Sequence, residues 1–338
     1  MKKNLKVDKR LKDAALEFIN SGISCNCLVL LKELNLLDFL LLGNSIDKEM
    51  LSDPHFCSNY TAACSAFVTL EYSGVLTKNL DKFSLSDFGY ALCDYIGLIL
   101  MLFDGYGSLM SEQKKIALNR IKFPSKLMKG DSIAEASIDF GKDTVDPIIS
   151  KIFKRYNIKG TICDLGCGIG ARLSWLCHET GNSGLGIENN DKALHIARNK
   201  FKSNKSLSFE KGDICHLEGV WEDVAVVMQY FVFHDFVINK NCVSILNSCL
   251  DVFPNLKFFI YVDVLSSSDG DRSIMPGYDY VHGLLGISTP TYNDIIKLFN
   301  ESNYFVIDEF SMPNMPNTFT WILVPKKLHH LWLASKNC

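Results

Sequence analysis

The chain has 338 residues, a formal net charge of −3, and 47% hydrophobic and 22% charged residues. That length suits two domains with a sizeable core. The near-balanced charge excludes a protein that lives on electrostatic attraction to nucleic acid. Its twelve cysteines are scattered through apolar contexts, and the close pairs Cys25/Cys27 and Cys163/Cys167 have no second pair at zinc-site spacing. They read as reduced core thiols of a cytoplasmic protein. The N-terminus is basic but has no apolar run of signal-peptide type behind it. The greasiest segments, 27–42 and 96–103, are broken by charge or too short to span a bilayer, so no membrane partner is expected.

In chain order, residues 7–20 and 27–42 carry helical spacing, the second with Cys27, Leu30, Leu34, Leu37 and Leu41 on one side. A short helix over 48–51 and a longer one over 61–72 follow, the latter ending at Gly74 as a glycine cap. Residues 75–85 read as two short strands joined by an Asn/Asp turn. Helices followed by a hairpin form a winged-helix arrangement, which often binds DNA. The would-be recognition helix 61–72 contains no Lys or Arg, and phosphate contacts need them, so a packing or dimerisation module is expected and no nucleic-acid partner. Residues 90–112 read as an apolar helical stretch whose surplus of Leu, Ile, Met and Phe needs a partner surface, so a homodimer is expected. The pattern loosens over 113–145. Asp146-Pro147 then starts a helix with proline in its first turn. The domains expected are 1–112, a helical linker 113–145, and a catalytic domain 146–338.

From Gly160 strand and helix alternate, which implies an α/β fold with a parallel sheet and ligand at the carboxyl ends of its strands. Strands are expected at 161–165, 184–188, 207–210, 224–229, 256–263, 304–310 and 318–324. The last two are joined by a loop, as an antiparallel edge hairpin. Helices fall at 170–180, 191–202, 236–252 and 290–302. The organising stretch runs from Gly160 to Trp175: a buried strand, a turn through Gly166, Gly168 and Gly170, and a helix. Residues without Cβ let a ligand lie against backbone N–H groups at a helix start. Asp164, Glu188 and Asp213 stand at the ends of three successive strands, on the rim of one crevice.

The set Asp164-Leu-Gly-Cys-Gly-Ile-Gly170, Glu188 and Asp213 resembles the class I S-adenosylmethionine-dependent methyltransferases. The resemblance implies a Rossmann-like seven-stranded sheet behind a mainly helical winged-helix domain. It also implies that the glycine turn passes under the methionine part of the cofactor, with Asp164 near its amino group and Gln229 nearby. Glu188, followed by Asn189, would accept the ribose hydroxyls, and Asp213 with Ile214 would hold the adenine. A dinucleotide fold also places an acid after the second strand, but the edge hairpin and Asp164 fit it less well.

After the fourth strand the chain reads Met228-Gln-Tyr-Phe-Val-Phe-His234-Asp235-Phe236, and a second histidine stands in Met275-Pro-Gly-Tyr-Asp-Tyr-Val-His282-Gly. Two histidines and a carboxylate can form a facial triad that leaves metal positions open. Neighbours 234 and 235 can both face inward only on irregular backbone. These segments, with Pro313-Asn-Met-Pro-Asn-Thr-Phe-Thr-Trp321, resemble the α-keto acid C-methyltransferases, in which the matching His, Asp and His bind iron or zinc. That resemblance implies methyl transfer to the β-carbon of an α-keto acid through a metal-chelated enolate. The residues do not single out the base: a metal-bound hydroxide, Tyr278 and Tyr280 are the candidates. Phe231, Phe233, Met275 and Met312 are candidate pocket residues. The alternative is a small-molecule O-methyltransferase with His234 as general base. A third reading is a cofactor-binding regulator acting on DNA. His55, His178, His195, His216, His329 and His330 form no such set.

Overall fold

The computed structural model describes residues 8–54, 59–142, 144–238, 242–266, 275, 277–312 and 315–328. His55, Pro276, Pro313, Asn314, His329 and His330 lie outside the described residues. The chain divides into two compact units, Met1–Gly105 and Tyr106–Cys338.

The first unit contains α1 (Lys9–Glu33), α2 (Leu36–Leu41), β1 (Ile46–Asp47), α3 (Lys48–Ser52), α4 (Tyr60–Tyr72), β2 (Leu76–Asn79), β3 (Lys82–Leu85), α5 (Asp87–Cys93) and α6 (Ile96–Leu100). A π-helical turn over Met101–Gly105 closes it. Leu28, Leu31, Leu37, Leu40, Phe67 and Leu70 form its core. The two helices expected before residue 42 are instead one long helix and a short one. The polar stretch between them does not break the helix, because Ser21, Ser24 and Asn26 donate to the carbonyls of Glu17, Asn20 and Gly22, each one turn back. The long helix is long and apolar enough to cross a membrane by length and composition. The helix expected over 90–112 is broken into short pieces, and its polar Asp94-Tyr95 step falls between α5 and α6.

The second unit begins at Tyr106, not at 113, and the segment 113–145 is part of it. It contains α7 (Gly107–Ser111), α8 (Gln113–Ala117), α9 (Gly130–Gly141), α10 (Asp146–Arg155), β4 (Thr161–Leu165), α11 (Ala171–Thr180), β5 (Gly184–Glu188), α12 (Asp191–Lys200), β6 (Leu207–Lys211) and β7 (Val224–Tyr230). Then come α13 (His234–Val237), α14 (Cys242–Val252), β8 (Phe258–Val264), α15 (Tyr278–Leu285), α16 (Tyr292–Glu301), β9 (Tyr304–Ser311) and β10 (Thr318–Pro325). The helix expected over 236–252 is therefore two helices. Within this unit α9 is tied to α11: Arg172 Nη2 donates to the Ser137 carbonyl at 2.8 Å.

The sheet order is β6-β5-β4-β7-β8-β10-β9. The first five strands are parallel and β10 is antiparallel to both neighbours. Val224 to Tyr230 is buried at every residue, as a central parallel strand covered on both faces must be. Trp321, Tyr261, Phe259 and Phe299 are fully enclosed around β8 and β10, each worth ~1.5–3 kcal/mol of burial. This packing fixes the strand ends from which the site projects.

Candidate active site

The glycine turn is built as its spacing demands. Gly166, Gly168 and Gly170 have φ of 78°, 55° and 73°, a region that costs other residues free energy. A Cβ on Gly170 would also lie 2.4 Å from the Phe209 ring, and one on Gly166 2.8 Å from Val232. Glu188, at the end of β5, accepts from the Gly168 N–H at 2.8 Å and the Asn190 N–H at 2.6 Å. It thus ties the turn to the start of α12 while keeping acceptor capacity for further donors. Asn189 is exposed, and its carbonyl accepts from Lys211. Asp164 is buried in β4. Burial pushes its carboxyl up to about 7, opposed by Arg172 and reinforced by Glu188 and Asp146.

Asp213 caps a short turn by accepting from the Cys215 N–H at 2.9 Å, and that bond holds its pKa below the ordinary value. Ile214 lies against the Gly166 turn. A cleft of about 300 Å³ opens between Ile187, Gly212, Asp213, His216 and Trp221. The three acids and the glycine turn therefore share one end of the sheet. Gln229 does not join them. It is 0% exposed, and its amide donates to the Val262 carbonyl while accepting from the N–H groups of Val232 and Phe233. Its role is to shape the turn that follows β7.

That turn supplies the irregular backbone that neighbours 234 and 235 need: Phe231 has φ of 56°, and the four-residue α13 starts at His234. His234 and His282 are buried, and their Nε2 atoms face each other at 3.1 Å. Asp235 Oδ1 lies 3.5 Å from one and 3.9 Å from the other. This oxygen is enclosed and accepts no hydrogen bond. All three ligand atoms fall within 4.8 Å of one another.

The outer nitrogens are already engaged. His234 Nδ1 meets Asp263 Oδ1 at 2.5 Å, and His282 Nδ1 donates to the Tyr278 carbonyl at 2.7 Å. Asp263 also accepts from the backbone N–H groups of His234 and Val264, so its oxygens serve as acceptors and the Nδ1–H of His234 donates to it. Both Nε2 atoms then present lone pairs to the same point, which calls for a proton or a cation between them. The donor set of two imidazoles and one orphaned carboxylate oxygen fits a transition-metal ion. Burial resists charging His234, but Asp263 outweighs it and raises its pKa; burial and His234 together lower that of His282.

Several expectations change here. Tyr278 donates its hydroxyl to the Val264 carbonyl at 2.7 Å, and burial pushes the phenol far above its ordinary value, so it is no base. Tyr280 is half-exposed and bonded to Gln113. Phe233 packs on Phe236, Phe259 and Tyr261, within the core and not in a pocket. Asp235 is in the first turn of α13. Sequence reasoning missed Asp263, although a lone acid in Phe-Phe-Ile-Tyr-Val-Asp-Val is a signal. It also missed the buried Arg172–Asp146 pair at 2.8 Å. Of the other histidines, His195 bonds Asn199 and His216 sits by Asp213, both exposed. Cys25, Cys27, Cys163 and Cys167, the two close pairs, are free thiols.

A family model described as a methyltransferase domain matches residues 162–253. The indolepyruvate C-methyltransferase of Streptomyces griseus is 26% identical over 318 residues, 92% of this chain and 95% of that protein. A sterol 24-C-methyltransferase of Debaryomyces hansenii is 39% identical over 61 residues, 17% of this chain and 16% of that protein. Among solved structures, the mitomycin 7-O-methyltransferase MmcR matches with a TM-score of 0.66 at 13% identity, over 94% of this chain and 98% of that one. The pyocyanin biosynthetic protein PhzM does so with a TM-score of 0.66 at 13% identity, over 94% and 100%. These structural likenesses are of fold. The chain has the fold of the class I S-adenosylmethionine-dependent methyltransferases with an N-terminal helical unit, and residues 162–253 match a methyltransferase domain.

Proposed function

We propose that this methyltransferase places its methyl group on the β-carbon of an α-keto acid, with a transition-metal ion, iron or zinc, held by His234, Asp235 and His282. The observation that carries the reading is the convergence of two buried Nε2 atoms and an orphaned carboxylate oxygen on one point. The name of the Streptomyces griseus relative, whose substrate is an α-keto acid, supports it. When bound there, the ion would supply Lewis acidity to the substrate's keto group, which would acidify its β-carbon.

The chain's own residues do the rest. Asp263 and the Tyr278 carbonyl hold the two imidazoles in the tautomer that ligates. Asp164 would face the cofactor's ammonium, Glu188 its ribose diol, and Asp213 with Ile214 its adenine, beside the cleft lined by Ile187 and Trp221. The acidic surroundings suit a cofactor that carries a sulfonium. Fixing the methyl donor and the β-carbon on one crevice converts their meeting into a unimolecular displacement.

The test is a panel of aromatic and aliphatic α-keto acids incubated with S-adenosylmethionine. The expected product is one methylene heavier, with the new methyl on carbon β by NMR. A methyl found on oxygen with every substrate would overturn the reading.

A second reading rests on the His234–Asp263 bond of 2.5 Å, which also suits a general base acting on a hydroxyl in an O-methyltransferase. Metal content of the purified protein separates the two.

The assembly proposed is a cytoplasmic homodimer. Its support is the apolar face of α1, where Leu16, Ile19 and Ile23 are 60%, 66% and 55% exposed at helical spacing. A monomer in light scattering at micromolar concentration would contradict it. The described α4 carries no Lys or Arg, which argues against a DNA partner.

A further inference from the structure

The two arms of the candidate metal site come from separate elements. His234 and Asp235 follow β7, and their turn is braced by Gln229. His282 rides on α15, and its position depends on where that helix is tied to the sheet.

The tie is made at the first residue of α15. Tyr278 is buried, and its hydroxyl donates to the Val264 carbonyl at 2.7 Å. Val264 is the residue after Asp263, which holds His234. The Tyr278 carbonyl accepts from His282 Nδ1 at 2.7 Å. Its ring lies 4.5 Å from the His282 ring and 5.4 Å from that of His234, centroid to centroid. One side chain therefore spans from the end of β8 to both imidazoles. Adjacent residues of β8, Asp263 and Val264, then set the separation of the two arms.

We infer that Tyr278 is a positioning residue for the metal site, its hydroxyl acting as a strut that fixes the reach of His282 toward His234. This rests on the metal reading above. The strut acts as a donor, because the Val264 carbonyl that it meets can only accept. Its loss leaves the ring in place and frees α15 to drift along the sheet end, so the 3.1 Å approach of the two Nε2 atoms is no longer imposed.

The test is a double-mutant cycle read as metal affinity, with cobalt(II) or zinc(II) titrated against a chromogenic chelator in the absence of substrate. Tyr278→Phe keeps the ring and is expected to weaken binding roughly tenfold, the scale of losing an outer-shell partner. The thermal midpoint of the metal-free protein should stay within about 4 °C, as for one buried hydrogen bond. In a His282→Ala background the same change should have no further effect on metal affinity, because the strut acts through His282. The cobalt(II) absorption of Tyr278→Phe should also differ from that of the wild type. Equal affinity in wild type and Tyr278→Phe overturns the inference and leaves the metal reading intact. An equal loss in both backgrounds also overturns it, and makes Tyr278 a packing residue. A wild-type protein that binds no metal overturns both, and that outcome is read from the unmutated sample alone.

Discussion

The proposed cofactor cradle and the paired-histidine site sit at the same end of one sheet but are built by different means. The cradle is made by backbone: three glycines in the left-handed region and acids at the ends of neighbouring strands. Each of its parts is local in the chain. The histidine site is made by side chains that cross between elements: Gln229 to Val262, Asp263 to His234, Tyr278 to Val264. Conformational rules set the first, and packing distances set the second. The two therefore fail in different ways.

The largest expected effect separates them outright. His234→Ala should lower methyl transfer by about 10²–10⁴-fold, the range for losing a group that acts on the reacting centre, while cofactor affinity by calorimetry stays close to wild type. Loss of cofactor binding in this variant would mean the two sites are one. Asp263→Asn tests the bracing. The amide cannot replace a carboxylate that accepts three hydrogen bonds, and metal affinity should fall about 10–100-fold. An unchanged affinity would leave Asp263 as fold support only. Glu188→Gln should do the converse, weakening cofactor binding roughly tenfold through lost charge-assisted bonds with metal affinity unaltered.

The smallest effect is a pH dependence. Burial raises Asp164 to about 7 in the free protein. Facing an ammonium requires the ionised carboxylate, so cofactor binding releases a proton. Affinity is full above this value and falls as pH drops through it, about tenfold weaker at pH 6 than at pH 8. A flat profile over that range would remove Asp164 from the ammonium.

The same contrast explains what was legible in the sequence. The seven strands and the three acids were readable because strand periodicity and positive-φ glycines leave marks at fixed spacing. His234, Asp235 and His282 were visible as residue types, and the structure brings them within 4.8 Å. Their supports were not paired with them by any local pattern, because Asp263 reaches His234 across 29 residues of chain and Tyr278 reaches Val264 across 14. The bracing by Gln229 was hidden for the same reason: its position at the end of a buried strand fits a ligand contact as well as a turn brace, and its bonds to Val262, Val232 and Phe233 appear only in the fold. In the first unit, helix breaks were misread where serine and asparagine side chains satisfy the helix they were expected to end.

The central claim is that a metal ion held by His234, Asp235 and His282 serves carbon methylation. The most direct measurement is β-methylation of an α-keto acid by purified protein before chelation, after exhaustive chelation, and after return of iron(II) or zinc(II). The account predicts activity that is lost on chelation, restored by one of the metals, and not restored in His282→Ala. Full activity in metal-free protein would contradict it.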